Sequence, residues 1–147
     1  MGTGEVRSLT IIGGFVVYSA FAPTQPLLPK SDSPRVLIVG AGMSGILAAI
    51  KLIESGNTNF RIYEKADRVG GTWRDNTYPG LRCDVPAHMF TYSFEPNPDY
   101  SDRFPMGREI QSYLERVYDK YQLDRYICFN KGVESINFED GDWYVQP

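Results

Sequence analysis

Hydrophobic and polar residues in this 147-residue chain form short blocks that predict alternating strands and helices. Residues 36–39 are uninterruptedly apolar and mostly β-branched, which is typical of a strand buried on both faces of a parallel sheet. Apolar residues then recur at helical spacing from Ile46 to Ile53, and Gly56 stands where that helix would end. Residues 60–63 form a second strand-like block. This order predicts an α/β fold with a Rossmann-like βαβ unit.

The last third of the chain predicts an added helix and a β-hairpin. Residues 107–123 place apolar side chains on one face of a helix and charged side chains on the others. Two short strand patterns then flank an Asp-Gly turn at residues 140–141. The residues expected on the apolar face of the helix are Ile110, Leu114, Val117 and Tyr121.

The first 33 residues differ from the rest. Residues 9–22 are uncharged and largely apolar, and a proline-punctuated stretch follows them. Fourteen residues are too few to span a bilayer, which needs about 20. We expect residues 1–33 to be an extension and linker, formed as an accessory strand, a loosely ordered segment or a misassigned start. A signal or membrane anchor is the alternative. Residues 34–147 would then form the domain of a cytoplasmic protein that has no membrane partner.

Composition narrows the class of protein. With 15 basic and 18 acidic residues the net charge is −3, so we expect no nucleic-acid partner. The two cysteines, Cys83 and Cys128, match no metal-binding spacing and indicate a reducing compartment. Cys128 lies in a strand-like stretch and is expected to be structural. The only histidine, His88, is expected in a loop, so we predict neither a metal site nor a Ser-His-Asp triad.

A glycine-rich turn follows the first predicted strand. Residues 40–45 read Gly-Ala-Gly-Met-Ser-Gly, a match to the G-x-G-x-x-G pattern of dinucleotide-binding proteins. The first glycine permits the tight turn, the second lets the backbone approach a pyrophosphate, and the third allows close packing of helix on strand. The helix start then offers unpaired N–H groups to phosphates. The cofactor-binding residues predicted here are Gly40, Gly42, Met43, Ser44 and Gly45.

The second predicted strand is followed by an acidic residue. Glu64 lies nineteen residues after Gly45, where its carboxylate can accept hydrogen bonds from a ribose diol. A negative charge at this point disfavours a 2′-phosphate, so the unit is expected to hold FAD or NAD rather than NADP. A glycine-rich connector that binds no ligand is the alternative.

Two longer motifs follow Glu64. Residues 70–73 read Gly-Gly-Thr-Trp, and residues 78–84 read Tyr-Pro-Gly-Leu-Arg-Cys-Asp. The sequence continues as Phe-Thr-Tyr-Ser-Phe-Glu-Pro-Asn-Pro over residues 90–98. In these blocks, and over roughly residues 35–145, the chain resembles the class B flavoprotein monooxygenases, which include the Baeyer–Villiger and flavin-containing monooxygenases. The resemblance implies FAD as the cofactor bound here.

The resemblance also implies a set of site residues. The paired glycines 70 and 71 let the backbone approach the long FAD molecule a second time, and Trp73 offers a flat aromatic face. Asp84 is implied as the catalytic residue, because it would orient an active-site cation. Phe90 stands where the family often has tyrosine, so ring packing is kept and a hydroxyl contact is lost. The implied contacts with FAD or the nicotinamide nucleotide are Gly71, Thr72, Trp73, Arg74, Asp75, Arg82, Cys83, Asp84, Val85, Phe90 and Val133.

Several of these residues also have plainer interpretations. Trp73 suits an ordinary core position. Arg82 and Asp84 suit a local pair that stabilises a turn. Cys83 is typical of a small buried hydrophobic residue rather than of a reactive thiol.

The function that the resemblance implies is an FAD- and NADPH-dependent monooxygenase. In such an enzyme a peroxyflavin oxygenates a ketone or a soft nitrogen or sulfur centre, and the partners are a small organic substrate and O₂. Two alternatives stay open: a catalytically silent nucleotide-binding module, and a fragment of an NAD-dependent oxidoreductase.

The resemblance extends to only the first part of such an enzyme. The sequence has one G-x-G-x-x-G fingerprint, and neither the second fingerprint of the NADPH domain nor the later strand of the FAD sheet is found. We therefore expect a fragment, a split gene product or a truncated gene model, which is inactive alone. The incomplete sheet should then have an unpaired strand edge, which would make the isolated chain prone to aggregate or dependent on a partner.

Overall fold

A five-stranded sheet is the framework of the protein in a computed structural model that describes residues 9–12, 15–18, 36–140 and 142–147. The strands are Leu9–Ile12 (β1), Phe15–Tyr18 (β2), Val36–Val39 (β3), Phe60–Tyr63 (β4) and Ile127–Cys128 (β5), and they lie side by side in this order. Strands β3, β4 and β5 run parallel, β2 pairs antiparallel with β3, and β1 pairs antiparallel with β2. The predicted α/β fold with a Rossmann-like βαβ unit is confirmed.

Helix α1, Met43–Glu54, connects β3 to β4. Ile46, Ala49 and Ile50 are completely buried, as the helical spacing predicts. The helix ends next to Gly56, whose φ of +80° is a left-handed conformation that glycine adopts without strain. The C-terminal boundary inferred from the sequence is therefore correct.

The edge of β3 that faces away from β4 is paired. Strand β2 pairs with it antiparallel, with Val17 opposite Ile38 and Tyr18 opposite Leu37. The apolar run at residues 9–22 thus contains two short strands, one of the alternatives considered above. Residues 19–35, and with them the whole proline-punctuated linker, lie outside the described residues.

Most of the chain between β4 and β5 forms a long excursion from the sheet. It contains α2 (Thr72–Asp75), a 3₁₀ turn (Ala87–Met89), α3 (Gly107–Lys120) and a second 3₁₀ turn (Leu123–Tyr126). Helix α3 begins where predicted but stops three residues early, because Gln122 takes a left-handed conformation with φ +52°. Its buried side chains include Ile110, Leu114 and Val117, as predicted.

The predicted hairpin is present as β6 (Ser135–Glu139) and β7 (Asp142–Gln146), paired antiparallel in a separate two-stranded sheet. Val145 is buried with Leu37 of β3 in a small second core, which also receives Val133. The hairpin thereby packs onto the main sheet beside β3. This contact places Val133 near the ends of the parallel strands.

The main core combines side chains from the sheet with the inner faces of α1 and α3. Phe60 stacks on Tyr126 with ring centroids 4.3 Å apart, which ties β4 to the second 3₁₀ turn. Among the described helices, none is long and apolar enough to cross a membrane.

Candidate cofactor site

The first glycine loop joins β3 to α1 and has the geometry that its sequence predicts. Gly40 has φ +92°, and its N–H donates to the Tyr63 carbonyl over 2.8 Å. A Cβ atom at Gly45 would overlap the carbonyl oxygen of Gly40, so the helix lies directly against the turn. Gly42 is the N-cap residue of α1 and makes no side-chain capping bond. The first turn of α1 therefore presents backbone N–H groups that no cap residue satisfies.

A second glycine loop lies against the first. The Gly70 N–H donates to the Ala41 carbonyl over 3.0 Å. Gly71 has φ +56°, and a Cβ atom built on it would lie 3.1 Å from Gly42 Cα. A side chain at Gly71 would push the two loops apart. The two glycine motifs thus form one continuous backbone surface.

Glu64 lies beneath this surface and is only 3% exposed. Its Oε2 accepts a hydrogen bond from the Ala41 N–H over 2.7 Å, and its Oε1 accepts one from the Ala66 N–H over 2.9 Å. Arg74 Nη1 forms an ion pair with Oε1 at 3.0 Å. A carboxylate has about four acceptor positions, so most of its capacity is already used by the protein.

Arg74 and Asp75 carry the resolved electrostatic shifts at this site. Burial alone would lower the pKa of Arg74, but the hydrogen bond to Asp75 and the charges of Glu64 and Asp75 outweigh it and raise that pKa. The same hydrogen bond lowers the pKa of Asp75, and the charges of Arg74 and Lys65 lower it further. Opposite charges therefore alternate along one wall of the site.

These elements enclose a cavity of about 490 Å³ at the carboxyl ends of β3 and β4. That is the edge of a parallel sheet where ligands bind in open α/β folds. Of the predicted site residues, the cavity is lined by Gly40, Gly42, Met43, Ser44, Glu64, Gly71, Thr72, Trp73, Arg74, Asp75, Phe90 and Val133. The Trp73 ring meets Phe90 edge-on with centroids 5.3 Å apart and also packs on the main core, so its two interpretations are compatible.

Four cavity residues are missing from the sequence prediction. Val39 and Tyr63 end the two parallel strands, a position that could have identified them. Lys65 follows Glu64 directly, and Gly132 precedes Val133. Simple adjacency to predicted residues is thus a usable signal for such lining positions.

The remaining predicted residues do not line the cavity. Gly45 lies behind it, where its lack of a side chain permits the helix contact. Cys83 is 3% exposed and its N–H donates to the Pro105 carbonyl, which fits the interpretation as a small buried residue. Asp84 is exposed, and Val85 is half-buried. The structure therefore keeps the loop at residues 82–85 apart from the cavity lining.

The structure pairs Arg82 with a residue other than Asp84, its partner in the predicted turn pair. Its Nη1 donates to Asp102 Oδ2 over 2.9 Å and to the Phe104 carbonyl over 2.8 Å, so its acidic partner is Asp102 and not Asp84. His88 lies exposed in the first 3₁₀ turn, as expected of a loop residue. Within the part of the chain that the structure describes, no group of three His, Cys, Asp or Glu residues could hold a metal ion.

Comparison with known proteins agrees with this geometry. The NAD(P)-binding Rossmann-like domain family matches residues 38–104. An uncharacterized monooxygenase of Mycobacterium tuberculosis is 52% identical over 113 residues, which are 77% of this chain and 23% of that protein. A Baeyer–Villiger monooxygenase of Streptomyces coelicolor is 42% identical over 105 residues, 71% of this chain and 20% of that protein. The FAD-binding monooxygenase tazF of Aspergillus terreus is 48% identical over 130 residues, 85% of this chain and 23% of that protein.

Solved structures give the same result. An oxidized steroid monooxygenase bound to NADP superposes with a TM-score of 0.69 at 36% identity, over 75% of this chain and 22% of that one. An open structure of cyclohexanone monooxygenase gives 0.67 at 33% identity, over 74% of this chain and 22% of that one.

The fold is that of the Rossmann-like class, with a cavity at the edge of the sheet where such folds bind ligands. Over the matched residues the chain is similar to flavin-dependent monooxygenases, and the predicted resemblance is confirmed. The chain spans about a fifth to a quarter of the length of these relatives.

Proposed function

We propose that residues 34–147 form the N-terminal part of the FAD-binding domain of an FAD- and NADPH-dependent monooxygenase, with residues 1–33 as its extension and linker. The observation that carries the proposal is the joined pair of glycine loops above the uncapped start of α1. The cavity volume is within the usual range for ligand sites, roughly 300–1,000 Å³. A backbone without side chains at Gly42 and Gly71 suits close approach of a diphosphate.

The cavity divides into three proposed regions. The backbone of residues 42–44 would hold the pyrophosphate at the start of α1. Glu64 and Val133 would face the adenosine end. Trp73 and Phe90 would pack against the flavin end. FAD, when bound, supplies the redox chemistry, and the chain's own residues bind it, orient it and exclude water.

The loop at residues 82–85 has a separate proposed role. An exposed carboxylate at Asp84 can accept a cation from another segment of a longer enzyme or from a partner, and so orient that cation near the flavin. Arg82 and Cys83 would approach the nicotinamide nucleotide in the same assembly. These roles rest on the motif and not on the cavity lining.

The proposed substrates are a small ketone or a soft nitrogen or sulfur compound, together with O₂. The neighbours' names support both kinds of substrate, since they include cyclohexanone monooxygenase and an S-allyl-L-cysteine S-oxygenase from Allium sativum. The latter superposes with a TM-score of 0.63 at 27% identity over 74% of this chain and 30% of that one.

FAD binding by the 147-residue chain tests the proposal. We expect the purified protein to quench flavin fluorescence and to elute with flavin absorption, whereas NAD should not compete at equal concentration. Gly71→Ala should weaken binding, because alanine is strained at φ +56° and its Cβ would lie only 3.1 Å from Gly42 Cα in the first glycine loop. Gly80→Ala is the matched control, since Gly80 also has a positive φ of +81°, but no atom of the described residues lies within 4 Å of its Cβ position. A chain that binds NAD and not FAD would overturn the proposal.

A second measurement addresses catalysis. The sequence has one dinucleotide fingerprint, which FAD would occupy, so we expect the FAD-loaded chain to oxidise NADPH no faster than free flavin. Addition of cyclohexanone should not change that rate. Substrate-stimulated turnover would reveal a nicotinamide site within these residues. FAD binding without turnover in any longer form would favour the catalytically silent module.

A further inference from the structure

The guanidinium of Arg74 is buried and turned toward the protein. Only 5% of the side chain is exposed. Nη1 lies 3.0 Å from Glu64 Oε1 and donates to the Arg68 carbonyl over 2.6 Å, while Nε donates to Asp75 Oδ1 over 2.8 Å. The guanidinium atoms Nη1 and Nε therefore bond to Glu64 and to two residues that flank the second glycine loop. Arg74 lines the cavity, but these bonds hold its charged group in the wall.

Glu64 connects Arg74 to the first glycine loop. While Oε1 is held by Arg74 and the Ala66 N–H, Oε2 accepts the N–H of Ala41, which stands between Gly40 and Gly42. The carbonyl group of Ala41 is also held in place, because it accepts a hydrogen bond from the Gly70 N–H. A continuous series of bonds thus runs from Arg74 through Glu64 to the turn that would receive the diphosphate.

We propose that Arg74 is a positioning residue of the cofactor site: it holds the Glu64 carboxylate so that the first glycine loop is in its ligand-receiving conformation before the dinucleotide binds. Its target is the adenosine diphosphate half of the ligand, reached through Glu64 and not by direct contact. The inference rests on the proposed FAD site. Affinity gained this way comes from lower ordering cost on binding.

Two physical effects make this arrangement sensitive to mutation. Loss of Arg74 leaves a buried carboxylate without its cation, which is far more costly than loss of both charges together. Lysine keeps the charge but has no planar fork, so it cannot reach Glu64, the Arg68 carbonyl and Asp75 at once. Arg74→Lys should therefore rescue only part of the loss caused by Arg74→Met.

The experiment is a double-mutant cycle on ligand affinity. Arg74→Met, Glu64→Gln and the combined variant are titrated with FAD, ADP and FMN, and each is melted without ligand. Arg68→Met is the matched control, since Arg68 lies in the same loop, is exposed and uses only its carbonyl in the contact. We expect both single variants to bind FAD and ADP about tenfold more weakly, the cost of unmade charge-assisted hydrogen bonds. The combined variant should be no weaker than either, FMN binding should not change, and Arg68→Met should match the wild type.

Different outcomes separate the possible failures. Additive losses, or a loss for FMN as well, would mean that Arg74 contacts the ligand directly and would overturn the proposal. Wild-type affinity in a folded Arg74→Met or combined variant would overturn it too. If the combined variant fails to fold, Arg74 supports the domain and not the site, and the proposal is equally lost. Failure of the wild type to bind both FAD and ADP would instead contradict the proposed function.

Discussion

Two parts of the molecule carry the motifs that identify it, and they differ in how they are held. The two glycine loops are joined to each other by the Gly70–Ala41 hydrogen bond and to β4 through buried Glu64. The loop at residues 78–89 instead bonds to residues 103–106, as in the contact of Cys83 with Pro105, and leaves most of its polar side chains exposed. The first part forms a cavity within the chain, and the second forms a surface beside it.

This difference reflects where each motif's requirements lie. A glycine motif depends on backbone conformation and close approach, which the 147 residues satisfy among themselves. The Arg-Cys-Asp motif depends on its side chains. Its proposed partners are a nicotinamide nucleotide and a cation, neither of which the 147 residues supply. The structure therefore supports the first motif with internal contacts and gives the second a local partner, Asp102.

The largest expected effect is on the glycine loops. Gly45→Ala should destabilise the chain by about 1–3 kcal/mol, because its Cβ would overlap the Gly40 carbonyl and α1 must shift. FAD binding should fall with it. Gly132→Ala is the control, since a Cβ there would lie 3.6 Å from Lys65 Cβ, an ordinary contact. Urea denaturation measures both, and equal stability of the two variants would remove the distinction between a required and a tolerated glycine.

A smaller effect on stability is expected where the excursion between β4 and β5 contacts helix α1. The Tyr92 hydroxyl donates to the Met43 carbonyl over 2.5 Å, which links the excursion to the first turn of α1. Tyr92→Phe should cost about 1 kcal/mol in urea denaturation. Tyr100→Phe, which removes a longer bond of 3.2 Å to the Phe90 carbonyl, should cost less.

The buried hydroxyl group of Tyr92 also makes the stability of the folded chain depend on pH. Burial raises the pKa of Tyr92 above its ordinary value of 10.0. A raised pKa means that the folded chain keeps a proton that the unfolded chain loses, so stability is intact below pH 10 and declines above it. Tyr92→Phe should lose less stability than the wild type between pH 9 and pH 11, and parallel curves would contradict this assignment.

How far the sequence predicts the structure follows the same division. Strand β3, helix α1 and the start of α3 are correct because their apolar spacing and glycines are local signals. The pairing of β3 with β2 was not predicted, since nothing in a four-residue apolar run specifies its partner. The Glu64–Arg74 contact was missed for a related reason: ten residues separate the two, and only the folded loop brings their charges together. The Arg82–Asp102 pair could not be predicted either, because it forms only when the chain closes a loop of twenty residues.

The Arg82–Asp102 ion pair should contribute little to the stability of the folded chain. Both side chains are about half exposed, and water screens exposed ion pairs strongly. Hydrogen bonds from the Arg103 and Phe104 backbone and from the Arg82 side chain lower the pKa of Asp102 below 3.8. Any stabilisation is therefore present at neutral pH and is lost as the pH falls through that lowered pKa. Arg82→Met should leave the urea midpoint at pH 7 almost unchanged, and a large shift would show that this loop is held as firmly as the glycine loops.

The smallest expected effect is that of Asp84 on cofactor affinity, and it is the sharpest check on the comparison. Asp84 is exposed and absent from the cavity lining, so Asp84→Asn in the 147-residue chain should bind FAD within about twofold of the wild type, a difference close to zero in free energy. The proposed role appears only when a cation from another segment is present. In a longer enzyme that contains this domain, the same substitution should therefore reduce substrate oxygenation much more than it reduces FAD content. Fluorescence titration measures the first quantity, and product formation per bound flavin measures the second. A tenfold loss of FAD affinity in the short chain would place Asp84 at the cofactor itself. The exposed loop would then belong to the same site as the two glycine loops.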